Sequence, residues 1–255
     1  MTTAIYTGHT GMSRTRVQRN HALVTPESHV PVILPGWDNA EVVVLISAEM
    51  GAKFEQSLVH CQSGASLSPL RPGDELFALV LEGSVAVVVA GDERQLDKDD
   101  YCYLPPEQNW RITSSADARL MVFSKPYISL GPAGAIAPPE ALFGSLGEVP
   151  AEPFLGDEGA LLQVLFPDEL AWDWGINVFE FVPGGTLPNV ESHFMEHGLY
   201  LLGGEGVYRL GESWYPVAAG DCIWMGPYLP QWYAATGKSN SRYIYYKEMH
   251  RPPVG

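Results

Sequence analysis

The stretch "NVESHFMEHGLYLLGGEG", Asn189 to Gly206, places Glu191, His193 and His197 at i, i+2 and i+6. How these three side chains face decides the fold. On a helix, steps of about 100° would separate Glu191 and His193 by ~200° and put them on opposite sides. On a strand, with its period of 2, all three project to one side. A straight strand at about 3.3 Å per residue would nevertheless hold Glu191 and His197 roughly 20 Å apart, against metal–ligand bonds of about 2.0 to 2.2 Å. The spacing therefore predicts a bend after His193, with two adjacent strands delivering the three groups to one point inside a small β-barrel. Three unrelated surface or core residues are the alternative that the triplet alone leaves open.

Working outward, 255 residues at 46% hydrophobic content suffice for one large core or two of about 100 residues each. Twenty-six Gly and 21 Pro point to many short strands joined by turns. Thirty acidic against 15 basic residues give a net charge of -15, which disfavours nucleic acid and anionic lipid as partners. No run of 18 apolar residues predicts a membrane span. Cys61, Cys102 and Cys222 are scattered and odd in number, which fits a reducing cytoplasm and not a disulfide framework or a CxxC zinc site. The first 25 residues carry Arg14, Arg16 and Arg19, no acid and no apolar core of the kind a secretory signal needs. A transit peptide shares that composition; an ordered or partly ordered arm is the expectation.

The chain also repeats itself. At a shift of 121 residues, Glu75–Trp110 lies without a gap on Glu196–Gln231, matching Gly83 with Gly204 and Asp100 with Asp221. Short alternating runs such as "VYRL", "IWMG" and "YIYYK", separated by glycine turns about every ten residues, predict a sandwich or jelly-roll barrel. The expectation is an all-β protein of two tandem barrels. Residues 1–128 form the arm and a first barrel, 129–160 a Pro/Gly/Ala-rich linker with a short helical turn at "PEALFGSL", and 161–255 a second barrel.

The frame resembles the cupin pattern. Gly185, Glu191, His193, His197 and Gly204 fall at the spacings of its first block, with Glu and His exchanged at the outer ligand positions, and the ligand position of its second block falls on Gln231. The equivalent positions of the first unit hold Leu70, Pro72, Leu76 and Trp110, none of which binds a metal through its side chain. One metal per chain, in the second barrel, is the expectation. His60 and Glu75 nearby read as ordinary strand or turn residues.

The Glu, His, His, Gln set is similar to that of the (S)-ureidoglycine aminohydrolases, and the resemblance extends over nearly the whole chain, most strongly from Gly184 to Glu248. It implies a bicupin that holds Mn²⁺ and converts (S)-ureidoglycine to (S)-ureidoglycolate and ammonia. Tyr208, Tyr243 and Lys247 match the positions that contact the substrate in that family. It also implies association, so a homo-oligomer is expected. The residues agree with this on their own terms: oxygen and nitrogen donors without a thiolate suit Mn²⁺ or Fe²⁺. In "RYIYYK", Tyr243, Tyr245 and Lys247 share one face, and a Lys pointing into a barrel needs an anion, for which the substrate carboxylate is the natural candidate. Core packing for the tyrosines and a snorkelling Lys247 remain alternatives. Trp224, Met225, Trp232 and Tyr233 are expected to wall the pocket, and Glu196, adjacent to His197, is expected to point outward. An iron-dependent cupin dioxygenase and a non-enzymatic binding bicupin are the rival functions.

Overall fold

A computed structural model describes residues 12–131 and 136–253. The first half contains β1 (Arg16–Val17), β2 (His21–Val24), β3 (Asp38–Ile46), β4 (Glu55–Leu67) and β5 (Asp74–Glu82). It continues with β6 (Ser84–Val89), β7 (Asp92–Asp97), β8 (Asp100–Leu104), β9 (Trp110–Ser114) and β10 (Ala118–Pro126). Between the barrels lie β11 (Leu142–Ser145) and β12 (Glu152–Phe154). The second half comprises β13 (Asp157–Val164), β14 (Trp174–Phe181), β15 (His197–Gly203) and β16 (Glu205–Leu210). It ends with β17 (Ser213–Ala218), β18 (Cys222–Met225), β19 (Gln231–Ala235) and β20 (Ser241–Glu248). Among the described residues the only helical pieces are two 3₁₀ turns, Pro26–Ser28 and Ala48–Met50. The protein is all-β, as its alternating apolar runs predict.

At the shift of 121 residues the bounds of β6, β7 and β9 coincide with those of β16, β17 and β19. Gly83 and Gly204 take the same turn, each with φ near +76°, a conformation that favours glycine. A Cβ on Gly204 would also stand 2.5 Å from Ser241 Cα. The repeat seen in the sequence is thus a repeat of strands and turns.

In the second half, an eight-stranded sheet ordered β1-β2-β18-β15-β20-β14-β13-β12 faces a three-stranded sheet, β17-β16-β19. Their inner faces enclose Leu199, Leu201, Tyr208, Tyr233 and Tyr243. In the first half, β3 to β11 form one sheet around Val42, Val59, Val87 and Leu120. A third apolar cluster, with Phe54, Phe77, Tyr103, Trp174 and Tyr246, joins the two halves.

The strands cross over between halves. From Met12 the arm lies on the second barrel: β2 pairs with β18, and Arg14 donates to both carboxylate oxygens of Asp221, at 2.7 and 2.8 Å. The first eleven residues lie outside the described ones. The helical turn expected at Pro139–Leu146 is instead β11, with Leu142 opposite Tyr103 and Ser145 opposite Asp100. Pairing with a sheet edge overrides the weak local helix preference of Glu-Ala-Leu.

Glu75 departs from the reading as an ordinary strand residue. It is fully buried between the barrels, accepts from Tyr103 Oη at 2.8 Å and from Lys125 Nζ at 2.9 Å, and Lys125 also bonds Asp173. Burial raises its pKa despite the neighbouring ammonium. His60 is an exposed residue of β4.

Candidate metal centre

Glu191, His193 and His197 converge, with one donor atom from each lying within 4.8 Å of the others. The bend falls where the spacing requires it. Glu191 is an isolated bridge residue, a bend occupies Phe194, and β15 begins at His197. Glu191 exchanges two backbone hydrogen bonds of 2.9 Å with Gln231, which seats the carboxylate and the amide side by side.

Backbone carbonyls fix both imidazoles. A carbonyl only accepts, so His197 Nδ1 donates to Tyr246 O at 2.9 Å and His193 Nδ1 donates to Met195 O at 3.1 Å. Each ring then turns its Nε2 lone pair inward, and the two Nε2 atoms stand 3.2 Å apart. Burial, with repulsion from His193 next, pushes the His197 pKa down to about 3, so this imidazole is neutral at physiological pH. Two lone pairs at that separation repel unless a cation lies between them.

Gln231 completes the set. Its amide nitrogen is 3.2 Å from His193 Nε2, while its Oε1 is buried without a partner. Rotating the amide by half a turn brings that oxygen to the same point. The Glu191 carboxylate lies 3.9 Å from His193 Nε2. These donors fit a divalent ion that prefers mixed oxygen and nitrogen ligands.

The cluster opens into a cavity of about 150 Å³ whose lining includes Tyr208, Tyr243, Tyr245 and Lys247. Parity on β20 accounts for the last three, since Ile244 and Tyr246 go to the cluster between the barrels. Burial raises the pKa of all three tyrosines, with the Glu191 carboxylate adding to it, so their hydroxyls stay protonated. Burial lowers the pKa of Lys247, opposed by Asp168 and Glu191. Asp168 Oδ1 lies 3.0 Å from His250 Nε2 and the Glu191 carboxylate 3.9 Å from His193 Nε2. Lys247 forms no salt bridge among the described residues.

The aromatic wall differs from expectation. Of Trp224, Met225, Trp232 and Tyr233, Met225 alone lines the cavity. Trp224 faces the other barrel and donates to Glu196 at 3.0 Å, Trp232 bonds Leu187 O, and Tyr233 packs on Phe181. Glu196 does point away from the ligands, but it is buried between the barrels and not in solvent. One contributor lies outside the residues expected from the sequence. Phe154, from the segment read as linker, lines the cavity and packs on Phe179 with ring centroids 4.9 Å apart. Tyr245 lines the cavity beside Tyr243, as their shared parity on the strand predicts, and accepts from Asn177 Nδ2 at 3.0 Å.

Among the described residues the first barrel gathers no second such group of donors. Leu70, Leu76 and Trp110 line a smaller cavity there, of about 40 Å³.

A cupin domain matches residues 177–245. The chain is 40% identical to the (S)-ureidoglycine aminohydrolase of Arabidopsis thaliana over 96% of its own length and 80% of that protein. It is 31% identical to the (S)-ureidoglycine aminohydrolase of Escherichia coli strain K12, over 91% and 89% of the two chains. The crystal structure of protein Ylba from E. coli superposes with a TM-score of 0.83 at 29% identity, covering 94% of this chain and 96% of that one.

Proposed function

Because the chain belongs to the (S)-ureidoglycine aminohydrolase family, we propose that it hydrolyses (S)-ureidoglycine to (S)-ureidoglycolate and ammonia with one Mn²⁺ held by Glu191, His193, His197 and Gln231. The observation that carries this reading is the meeting of two imidazole lone pairs, a carboxylate and an unpartnered buried amide oxygen at the floor of one cavity. A bound divalent ion supplies Lewis-acid polarisation of the reacting groups.

The protein's own residues do the rest. Lys247, without a salt bridge of its own, meets the substrate carboxylate and fixes which way the substrate points. Tyr208 and Tyr243 offer hydroxyl donors that cannot ionise near neutrality. Phe154, Phe179 and Leu187 add apolar wall to the same cavity and limit access of bulk water. Water supplies the hydroxyl that replaces the amine, which leaves as ammonia.

Product chirality tests the proposal. With substrate generated in place by a preceding reaction, protein loaded with Mn²⁺ yields only (S)-ureidoglycolate, whereas spontaneous loss of ammonia through a planar imine yields both hands. A racemic product at an unchanged rate overturns the assignment. Oxygen uptake by an iron-loaded protein would favour a dioxygenase instead.

Exposed Val30, Ile33 and Val44 on the first barrel support association into at least a dimer. Light scattering that gave 27.9 kDa at micromolar concentration would remove that idea. Cys61, Cys102 and Cys222 are all buried and free, which supports a reducing compartment, the cytoplasm.

A further inference from the structure

The first barrel packs against the strands that carry and fix His197. At the shift of 121 residues, Phe77 and Gly198 are equivalent. Phe77 fills its place with a ring that packs on Tyr101, Phe123 and Phe166. At Gly198 a Cβ would stand 2.4 Å from Phe54 Cε2 and Cζ and 2.6 Å from Gln56 Oε1. The second barrel has no side chain at this position, and the ring of Phe54 from the first barrel stands there.

Phe54 is buried and lies flat on Tyr246, with centroids 4.0 Å apart and planes 20° apart. The carbonyl of that same Tyr246 accepts the Nδ1–H of His197. On the other side of His197, the buried Glu196 carboxylate accepts from the backbone N–H of Lys53 at 2.8 Å and from Trp224 Nε1. Residues 196 and 198 are therefore both contacted by consecutive residues of the first barrel, and the residue between them is a ligand.

We propose that the first barrel is the positioning element of the metal centre. Phe54, wedged against Gly198 and Tyr246, holds β15 and β20 so that the Tyr246 carbonyl keeps His197 Nε2 aimed at His193 and Glu191. Phe54 is a positioning residue, since it touches neither substrate nor ligand atoms. The proposal rests on the reading of Glu191, His193 and His197 as metal ligands. Removing the Phe54 ring leaves a cavity into which Tyr246 relaxes, and the carbonyl that fixes the imidazole moves with it.

The test compares Phe54→Ala with Phe77→Ala in the full chain. Both delete a phenyl ring from the core between the barrels, so both lower Tm. The ring neighbours of Phe77 are Tyr101, Phe123 and Phe166, and Tyr246 is not among them. Equilibrium titration of the metal-free protein with Mn²⁺ alone, read by the electron paramagnetic resonance signal of the free ion, gives Kd at a temperature where circular dichroism shows both variants folded. Phe54→Ala weakens Mn²⁺ binding by about 10- to 100-fold, the usual cost of disturbing the partner of a metal-bound histidine. Phe77→Ala stays within about threefold of the parent, as expected of a site with no shared partner. If Phe54→Ala does not fold, Phe54→Leu against Phe77→Leu shows the same order at smaller size. An unchanged Kd for the Phe54 variant, or an equal loss in both, overturns the proposal. A parent protein that binds no Mn²⁺, or a His197→Ala variant that binds it as tightly as the parent, overturns the ligand reading itself and takes this proposal with it.

Discussion

Glu75 in the first barrel and Glu196 in the second are equivalent, both buried, and each accepts a hydrogen bond from an aromatic residue 28 positions further on, Tyr103 and Trp224 respectively. Their other partners differ. Glu75 is joined by Lys125 from its own barrel and, through it, Asp173 from the other half. Beside Glu196 stand Glu248 from its own barrel and Lys53 from the other half. Acid and base have exchanged places in two of the three positions. The exchange makes unlike barrels complementary: two first barrels in this arrangement would set Lys53 against Lys125, and two second barrels would set Asp173 against two glutamates. The two halves share a strand plan, and their charges at this junction complement each other.

The largest expected effect separates the halves by chemistry. Elemental analysis should find one metal per chain, and the His193→Ala, His197→Ala double variant should lose both metal and activity. Two metals per chain, or full occupancy in the double variant, would mean that the first barrel is not metal-free. Glu191→Ala should likewise lose metal and activity together.

Next comes the buried network. Lys125 has a side chain 2% exposed, and Glu75 and Asp173 are fully covered. Lys125→Met removes the cation between two buried carboxylates, and breaking such a pair from one side costs about 3–5 kcal/mol. For a chain of this size that is a fall in Tm on the order of 10 °C, readable by calorimetry. A shift of only a degree or two would show that the carboxylates accommodate the loss by taking up protons.

How much of this was legible in the sequence depends on where each partner lies. The repeat was legible because turn glycines such as Gly83 and Gly204 and the alternation of short runs are local properties. The meeting of Glu191, His193 and His197 was legible because a period of 2 and a bend suffice to bring them together. The network at Glu75 was not, because alternation says which face a residue takes but not what covers that face, and Asp173 comes from the other barrel. The same holds for Trp224, whose parity sends it toward Glu196, and for the arm, whose partner strand β18 lies some two hundred residues away in the chain. Phe154 was hidden by composition: a stretch rich in Pro, Gly and Ala gives no sign that one aromatic closes the cavity.

Lys247 sharpens the comparison within the second barrel, since the proposed function assigns it to the substrate and not to the fold. Lys247→Met should keep its metal and its Tm while kcat/KM for ureidoglycine falls by about 10² to 10³, the size of a charged, desolvated contact of roughly 3–4 kcal/mol lost in the transition state. Loss of metal in this variant would instead place Lys247 among the groups that hold the ligands.

The smallest effect belongs to Lys53, the counterpart of Asp173 across the pseudo-symmetric arrangement. Its ammonium reaches Glu248 at 3.2 Å, but its side chain is 62% exposed. An ion pair in contact with water contributes about 0–1 kcal/mol. Lys53 holds Glu196 mainly through its backbone N–H, at 2.8 Å, and that bond survives any side-chain substitution except proline. Lys53→Met should therefore lower Tm by no more than about 3 °C and leave Mn²⁺ affinity within about twofold of the parent, whereas Phe54→Ala one residue later should not. A Lys53→Met variant as unstable as Lys125→Met would break the distinction between the two networks, because it would mean that the exposed cation carries the same burden as the buried one.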